Sequence, residues 1–443
     1  MQTTEKKPLP ATSLPEVKLG AWLVFAAGEI VQGVQWFALD LPSILIGRDA
    51  PSGIAVPADT RMSRRHATIH TGAGGRLSIV DEGSSNGTAL NGKRIADHAL
   101  KPGDVVSCGD SCLVIAELPA GVPDAAIDGL RGEAAAMRRL RATIVLLAPT
   151  PGTILIQAET GCGKELVARA LHDRSELRGD FVAVNCAAIP EDLAESILFG
   201  HVTGAFTGAS AQPGLFRAAN HGTLFLDEVG ELSQPIQAKL LRALEERAVR
   251  PVGATKAVPC AARVVAATHR DLADQVDSGS FRGDLYARLR ELRVAIPPLR
   301  ERREDILPLF AETTQARRRI THALAESLLV YRWPYNVREL LAVARELGIM
   351  SGGREPLDAP LFLERINSVQ NARAVQTAPA DDARALPSGA SSSPGPSIDR
   401  AELERLLREH RGVVAKVAEA VARSRRQVYR WIEHHKIDVD AFR

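Results

Sequence analysis

The residues Ala158-Glu159-Thr160-Gly161-Cys162-Gly163-Lys164-Glu165 follow an apolar run, Thr153 to Gln157, and precede a helix-forming stretch. Glycines at such a place let backbone N–H groups close around phosphate oxygens at a helix N-terminus, and the lysine neutralises the β- and γ-phosphates. The general phosphate-loop pattern is broken twice: Ala158 replaces its first Gly, and Glu165 replaces the Ser or Thr that would bind magnesium. Downstream, Gly222-Thr-Leu-Phe-Leu-Asp227-Glu228 is an apolar strand ending in two carboxylates. Asp227 is placed to hold Mg2+ and Glu228 to orient and polarise the attacking water. Each run alone also describes a strand followed by a turn. Together they point to ATP and Mg2+ as ligands.

A third stretch, Gly204-Ala205-Phe206-Thr207-Gly208-Ala209, sets one aromatic and one hydroxyl between glycines. It favours neither helix nor packed strand, and suits a mobile loop raised towards a partner. Near the end of the chain, Gly412 to Val421 carries apolar residues at one-helix-face spacing, and Ser424-Arg-Arg-Gln427 opens a second helix with Val428, Trp431 and Ile432 inward. Arg425, Arg426, Gln427, Tyr429 and Arg430 then lie towards that helix's N-terminal end, where a recognition helix meets phosphate and bases. A charged, solvated helix is the other reading of that patch.

The elements that position these residues fall into distinct textures. Residues 1–20 are Pro- and Thr-rich and read as a tail, whereas 21–118 consist of short apolar runs between Gly, Asn, Asp and Pro turns, an all-β sandwich. Residues 128–370 alternate strand-like and helix-like runs, an α/β domain with a parallel sheet. Residues 371–397 are rich in Ala, Pro, Ser and Gly and read as a flexible linker before an all-α segment, 398–443. The chain is therefore expected to be multidomain, as its 443 residues also suggest. With 55 Lys and Arg against 53 Asp and Glu, the net charge of +2 excludes a wholesale polycation, so nucleic-acid contact must be local. No apolar run approaches the ~20 residues of a membrane span. Cys108, Cys112, Cys162, Cys186 and Cys260 form no CxxC pair. These features are expected of a cytosolic, reduced, soluble protein.

With the two nucleotide motifs in place, the middle of the chain resembles the AAA+ ATPase domain of bacterial sigma-54-dependent transcriptional activators. In that family the last loop position is Glu, as Glu165 is here. The resemblance implies that Glu159 to Glu165 cradle the nucleotide. It further implies that Asn185 in Phe181-Val-Ala-Val-Asn185 holds Glu228 until nucleotide is sensed, and that Thr268 lies on the sensor I strand, with His269 where Asn is usual. Arg282 and Arg288 match the arginine fingers that reach a neighbouring subunit's γ-phosphate, implying a homo-oligomer from dimer to hexameric ring. The resemblance divides this stretch into a core, 128–297, and a small helical lid, 298–370, shorter than usual, on which Arg338 in Trp333-Pro-Tyr-Asn336-Val-Arg338 matches sensor II, with Tyr335 in place of Gly. The run Gly204 to Ala209 reproduces the family's signature loop for the sigma-54 RNA polymerase holoenzyme, and the C-terminus resembles the Fis-type helix-turn-helix that reads upstream enhancer DNA.

The N-terminal sandwich resembles the FHA domain through Ile46-Gly47-Arg48, Ser63-Arg64-Arg65-His66, Asp81 to Thr88 and Asn91-Gly92. That likeness implies a phosphothreonine partner, a substrate of a Ser/Thr kinase, held by the Arg48 cation and by Ser63, Arg64 and Ser85, with Asn86 fixing the peptide backbone. His66 is expected to be a buried hydrogen-bonder. The rival expectation is a phosphopeptide-dependent DNA-binding regulator with a weak or vestigial ATPase, motivated by Ala158, His269 and the short lid.

Overall fold

The computed structural model describes residues 18–33, 35–119, 121, 124–205, 210–314, 319–352, 355–360, 362–364, 366 and 400–410. The expectations on the tail, on Phe206, Thr207, Gly208 and Ala209, on the linker and on Arg425 to Arg430 lie outside the described residues. Residues 1–370 form one unit and 371–443 another. In the second, the described helix Arg400–Glu409 buries Leu403, Leu406 and Leu407 along one face.

Two sheets build the N-terminal sandwich. One is centred on Leu19–Ala26, Ser111–Glu117, Val105–Cys108 and Thr88–Leu90; the other runs Asp97–Leu100, Leu77–Asp81, Ala67–Thr71, Ser43–Gly47 and Ile54–Ala55. Ala21, Leu23, Ile46, Ile69, Ile79, Leu113 and Ile115 meet between them. Leu19–Ala26 and Ser111–Glu117 are buried on both faces, so neither alternates in hydropathy. Their second faces, with Trp22, Val24, Cys112, Val114 and Ala116, share one apolar core with Leu307, Phe310, Leu328, Trp333 and Leu340 of the helical lid.

The sandwich is thus docked on the lid helices Ile306–Thr313, His322–Val330 and Asn336–Met350. Polar contacts border this seam. Ser107 donates to Glu326 at 2.5 Å and Arg303 donates to the Gly103 carbonyl at 2.8 Å, while Arg139 of the helix Ala135–Leu147, outside the lid, grips Glu117. A cavity of about 420 Å³ opens along the seam, lined by Trp22, Glu304 and Asp305 among others. Burial pushes the Glu304 carboxyl up to about 8 and raises Asp305 beside it.

The central domain is a five-stranded parallel sheet in the order Phe181–Asn185, Thr223–Asp227, Arg263–Thr268, Ile154–Gln157, Leu292–Ala295. Ile154 and Ile156 face the helices Ala135–Leu147 and Lys164–Asp173, while Leu155 faces the opposite layer with Gln234–Glu246 and Gly283–Leu289. Helices on both faces explain why these strands read as continuous apolar runs. All five strands point their carboxyl ends one way, and in such sheets ligands bind at that edge. Among the described residues no helix is long and apolar enough to cross a membrane.

Candidate functional site

The loop after Ile154–Gln157 turns through Gly161 (φ 80°) and Gly163 (φ 97°) into the helix Lys164–Asp173. A side chain at Gly161 would also collide with the Tyr335 carbonyl, 2.0 Å from where its Cβ would stand. The backbone therefore requires glycine for both conformation and space. Lys164, 8% exposed, is the first helical residue, and its Nζ lies 2.5 Å from Glu228 Oε1 and 3.7 Å from Asp227 Oδ1. The strand Thr223–Asp227 ends there, and Glu228 sits at φ 53°, a strained conformation for a non-glycine residue.

Electrostatics separates the two carboxylates. Burial pushes Asp227 above the ordinary aspartate value, and Lys164 only partly opposes this. Burial also acts upward on Glu228, but hydrogen bonds from Lys164 and His269 outweigh it and hold the group below its ordinary value. A half-desolvated aspartate without a full counter-charge suits a cation. Among the described residues no cluster of three or more His, Cys, Asp or Glu could cage a metal. Mg2+ fits here as it does where one carboxylate and substrate phosphates share the ion.

The sequence-predicted residues divide around this centre. Glu159 is turned away from it: its carboxylate takes a bidentate pair from Arg300 at 2.7 Å and a bond from Asn336 at 3.2 Å. Asn336 also donates to the Thr160 carbonyl at 3.1 Å and accepts from the Leu299 amide at 2.8 Å. These contacts tie the phosphate loop to the lid. Arg300 and Asn336 went unassigned in the sequence because they stand 141 and 177 residues from Glu159. Arg338 is exposed and its amide donates to the Gly161 carbonyl at 3.3 Å. With Gly161, Cys162, Gly163, Leu166 and Arg302 it lines a cavity of about 500 Å³ between loop and lid. Cys162 is buried, which pushes its thiol up to about 11. Glu165 is exposed and pairs with Arg169.

One placement differs from the motif-based expectations. Asn185 does not hold Glu228: its strand register sets it beside Asp227, and its Oδ1 accepts from the Ala187 amide at 2.9 Å. Both Glu228 oxygens are instead taken by Lys164 and His269, the latter at 2.6 Å from Nδ1. Thr268 is buried and its hydroxyl accepts from the Arg270 amide at 3.1 Å. Arg282 and Arg288 pair on the surface with Asp284 and Glu291. Gly204 and Ala205 follow the strand Gly200–His201, which pairs antiparallel with Gln212–Pro213.

At the sandwich's loop end the structure brings Arg48, Ser63, Arg64, Ser85 and Asn86 together. Gly47 lets the strand Ser43–Gly47 and the loop carrying Arg64 touch, since a Cβ there would lie 2.1 Å from the Arg64 carbonyl. The Arg48 amide donates to the Ser63 carbonyl at 3.0 Å, and the Ser85 amide to Ser63 Oγ at 3.1 Å. Asn86 donates to the Arg61 carbonyl at 2.7 Å. His66 is buried beneath, accepting from the Ser63 amide and lying 3.3 Å from the Gly87 carbonyl. Among the described residues neither Arg48 nor Arg64 has a carboxylate partner.

Comparison with known proteins agrees with this geometry. The family model for the sigma-54 interaction domain matches residues 130–295, and that for the FHA domain matches residues 44–109. The transcriptional regulatory protein ZraR of Klebsiella oxytoca is 47% identical over 249 residues, covering 54% of this chain and 56% of the relative. The response regulator PilR of Pseudomonas aeruginosa is 50% identical over 222 residues, 48% of this chain and 50% of the relative. The chain spans about half the length of these curated relatives. Among solved structures, NtrX from Brucella abortus in complex with ATP superposes with a TM-score of 0.52 at 29% identity, over 70% of this chain and 69% of that one. Through its AAA+ sigma-54 interaction domain, joined to an FHA domain, this chain belongs to the sigma-54-dependent transcriptional activators.

Proposed function

We propose that the chain is an ATP-hydrolysing activator that binds upstream enhancer DNA through Arg425 to Arg430 and remodels the sigma-54 RNA polymerase holoenzyme through Gly204 to Ala209. Its work is done in the bacterial cytoplasm. Phosphothreonine recognition by Arg48, Ser63, Arg64, Ser85 and Asn86 regulates it. The observation that carries this reading is the Lys164, Asp227 and Glu228 cluster at the carboxyl edge of the sheet.

The chemistry follows from these residues. An arriving triphosphate competes with Glu228 for Lys164, because three phosphate oxygens offer the ammonium more charge than one carboxylate oxygen. Glu228, released at Oε1, can then orient water in line with the γ-phosphorus and accept its proton. Mg2+ on Asp227 would supply charge neutralisation across the β- and γ-phosphates. Exposed Arg282 and half-buried Arg288 of one subunit complete the neighbour's site by stabilising charge on the departing phosphoryl group. Arg338 senses the nucleotide from the lid. The seam between the sandwich and that lid gives phosphopeptide binding a physical route to the ATPase.

The experiment is open-promoter formation on a sigma-54 template with Thr207→Ala. Loss of open complexes with ATP turnover retained is the expected result. Undiminished activation would remove the signature loop from the mechanism and favour action on another polymerase form.

A further inference from the structure

The cavity of about 420 Å³ along the seam takes its walls from two domains: Trp22, Val24 and Val31 on the sandwich side, Glu304, Pro308 and Leu309 on the lid side. Six carboxylate side chains line it against two arginines, so its interior is negative. Both arginines are engaged: Arg141 donates to Asp124 at 2.7 Å, and Arg131 pairs with Glu312. Glu133 is taken by Arg138 at 2.7 Å. Glu304 is different. It is only 7% exposed, and apart from its own amide no group among the described residues donates to its carboxyl. Asp305 beside it accepts from the Glu133 and Ala134 amides through Oδ1, while its buried Oδ2 has no hydrogen-bond partner among the described residues. Arg302 favours the charged form of both groups, yet burial outweighs it and raises both carboxyls. A buried carboxyl without a donor is destabilising, and a cation brought into the cavity would relieve it.

We propose that this cavity is a binding site for a small organic cation, a protonated primary amine on an apolar body, held by the Glu304 carboxylate. The ammonium donates to Glu304, and the body meets the apolar wall of Trp22, Val24, Pro308 and Leu309. An indole in that wall suits the choice, because aromatic faces attract cations. The volume lies within the range of small-molecule sites, roughly 300–1,000 Å³. Since the walls come from both sandwich and lid, such a ligand binds their docked arrangement and stabilises it. Leu130, Arg131, Leu309 and Glu312 also line the cavity of about 500 Å³ between phosphate loop and lid, so the two cavities share a wall. The site depends neither on Glu228 nor on Arg48.

Phenethylamine is the probe, and 2-phenylethanol, with a hydroxyl in place of the ammonium, is its control. In calorimetric titration of the full chain, phenethylamine should bind in the millimolar range expected of so small a ligand, and at least about 10-fold more tightly than the alcohol. Glu304→Gln removes the charge and keeps the shape, and should weaken phenethylamine by at least about 10-fold. Equal affinities for the two probes, no detectable amine binding, or unaltered amine binding in Glu304→Gln would each overturn the proposal. A second measurement leaves the carboxyl intact. In wild-type chain labelled with nitrogen-15 at tryptophan, phenethylamine should move the Trp22 indole resonance, identified by its loss in Trp22→Phe. The Trp333 resonance should stay, because its Nε1 already donates to the Leu328 carbonyl at 2.9 Å. A Trp22 resonance unmoved at saturating amine would place the probe elsewhere and contradict the assignment.

Discussion

In the proposed function two sites of the molecule meet phosphate, and their cations are held oppositely. At the carboxyl edge of the central sheet the cation is already occupied: Lys164 is buried against Glu228 and Asp227. At the loop end of the sandwich Arg48 and Arg64 have no carboxylate partner among the described residues. The first arrangement makes ligand binding an exchange, in which phosphate replaces an internal counter-ion and frees a base. The second makes it an addition to a prepared surface, where Ser63, Ser85 and Asn86 are held by backbone bonds. An exchange suits a reaction cycle with two states. A prepared surface suits recognition. Between the two lies the apolar seam that joins sandwich to lid.

This contrast can be broken at either end. Lys164→Gln should have the largest effect, removing ATP turnover by about 10³-fold, the scale seen when a preorganised charge stabiliser is lost. Measurable hydrolysis near the wild-type rate would mean that the exchange is not the trigger. Next comes the seam itself. Trp22→Ala should destabilise the protein by about 3–5 kcal/mol, because Trp22 is 4% exposed and packs in the shared core. In calorimetry the sandwich and lid should then weaken together. A separate early transition confined to the sandwich would show that the seam joins nothing.

At the recognition end, Arg48→Ala should weaken a phosphothreonine peptide by roughly 10- to 100-fold, the worth of one charge-assisted bond, with ATP affinity unaltered. An unchanged titration would take the phosphate away from Arg48. The smallest effect concerns pH. Burial makes the folded Glu304 carboxyl bind its proton more tightly than in the unfolded chain, so stability should decline as pH rises above the ordinary glutamate range. The melting temperature between pH 6 and 8 should fall more steeply in the wild type than in Glu304→Gln. Equal slopes would assign the decline to other groups.

Much of this was legible in the residues, for identifiable reasons. Glycines at positive φ, the lysine opening a helix and carboxylates ending a strand are local requirements, so Gly161, Gly163, Lys164, Asp227 and Glu228 declare themselves in short runs. The same holds for Gly47, Ser63 and His66, whose spacing follows from the close approach of a loop to the end of a strand. Contacts between distant segments were not legible. The Glu159–Arg300–Asn336 tie leaves no periodic trace. Asn185 matched its motif by letter, yet strand register set it against Asp227 rather than Glu228. The seam did leave a signal: Ala21 to Phe25 and Cys112 to Ala116 are apolar without alternation, which a sandwich strand facing water on one side would not be.

The central claim is that Glu228 works with arginines supplied by a neighbouring subunit. Specific ATPase activity of the full chain, measured across a hundredfold dilution series alongside Glu228→Gln, tests it most directly. The account predicts activity per subunit that climbs with concentration and is absent at every concentration in the variant. A flat profile, or a variant that turns over ATP as the wild type does, would contradict it.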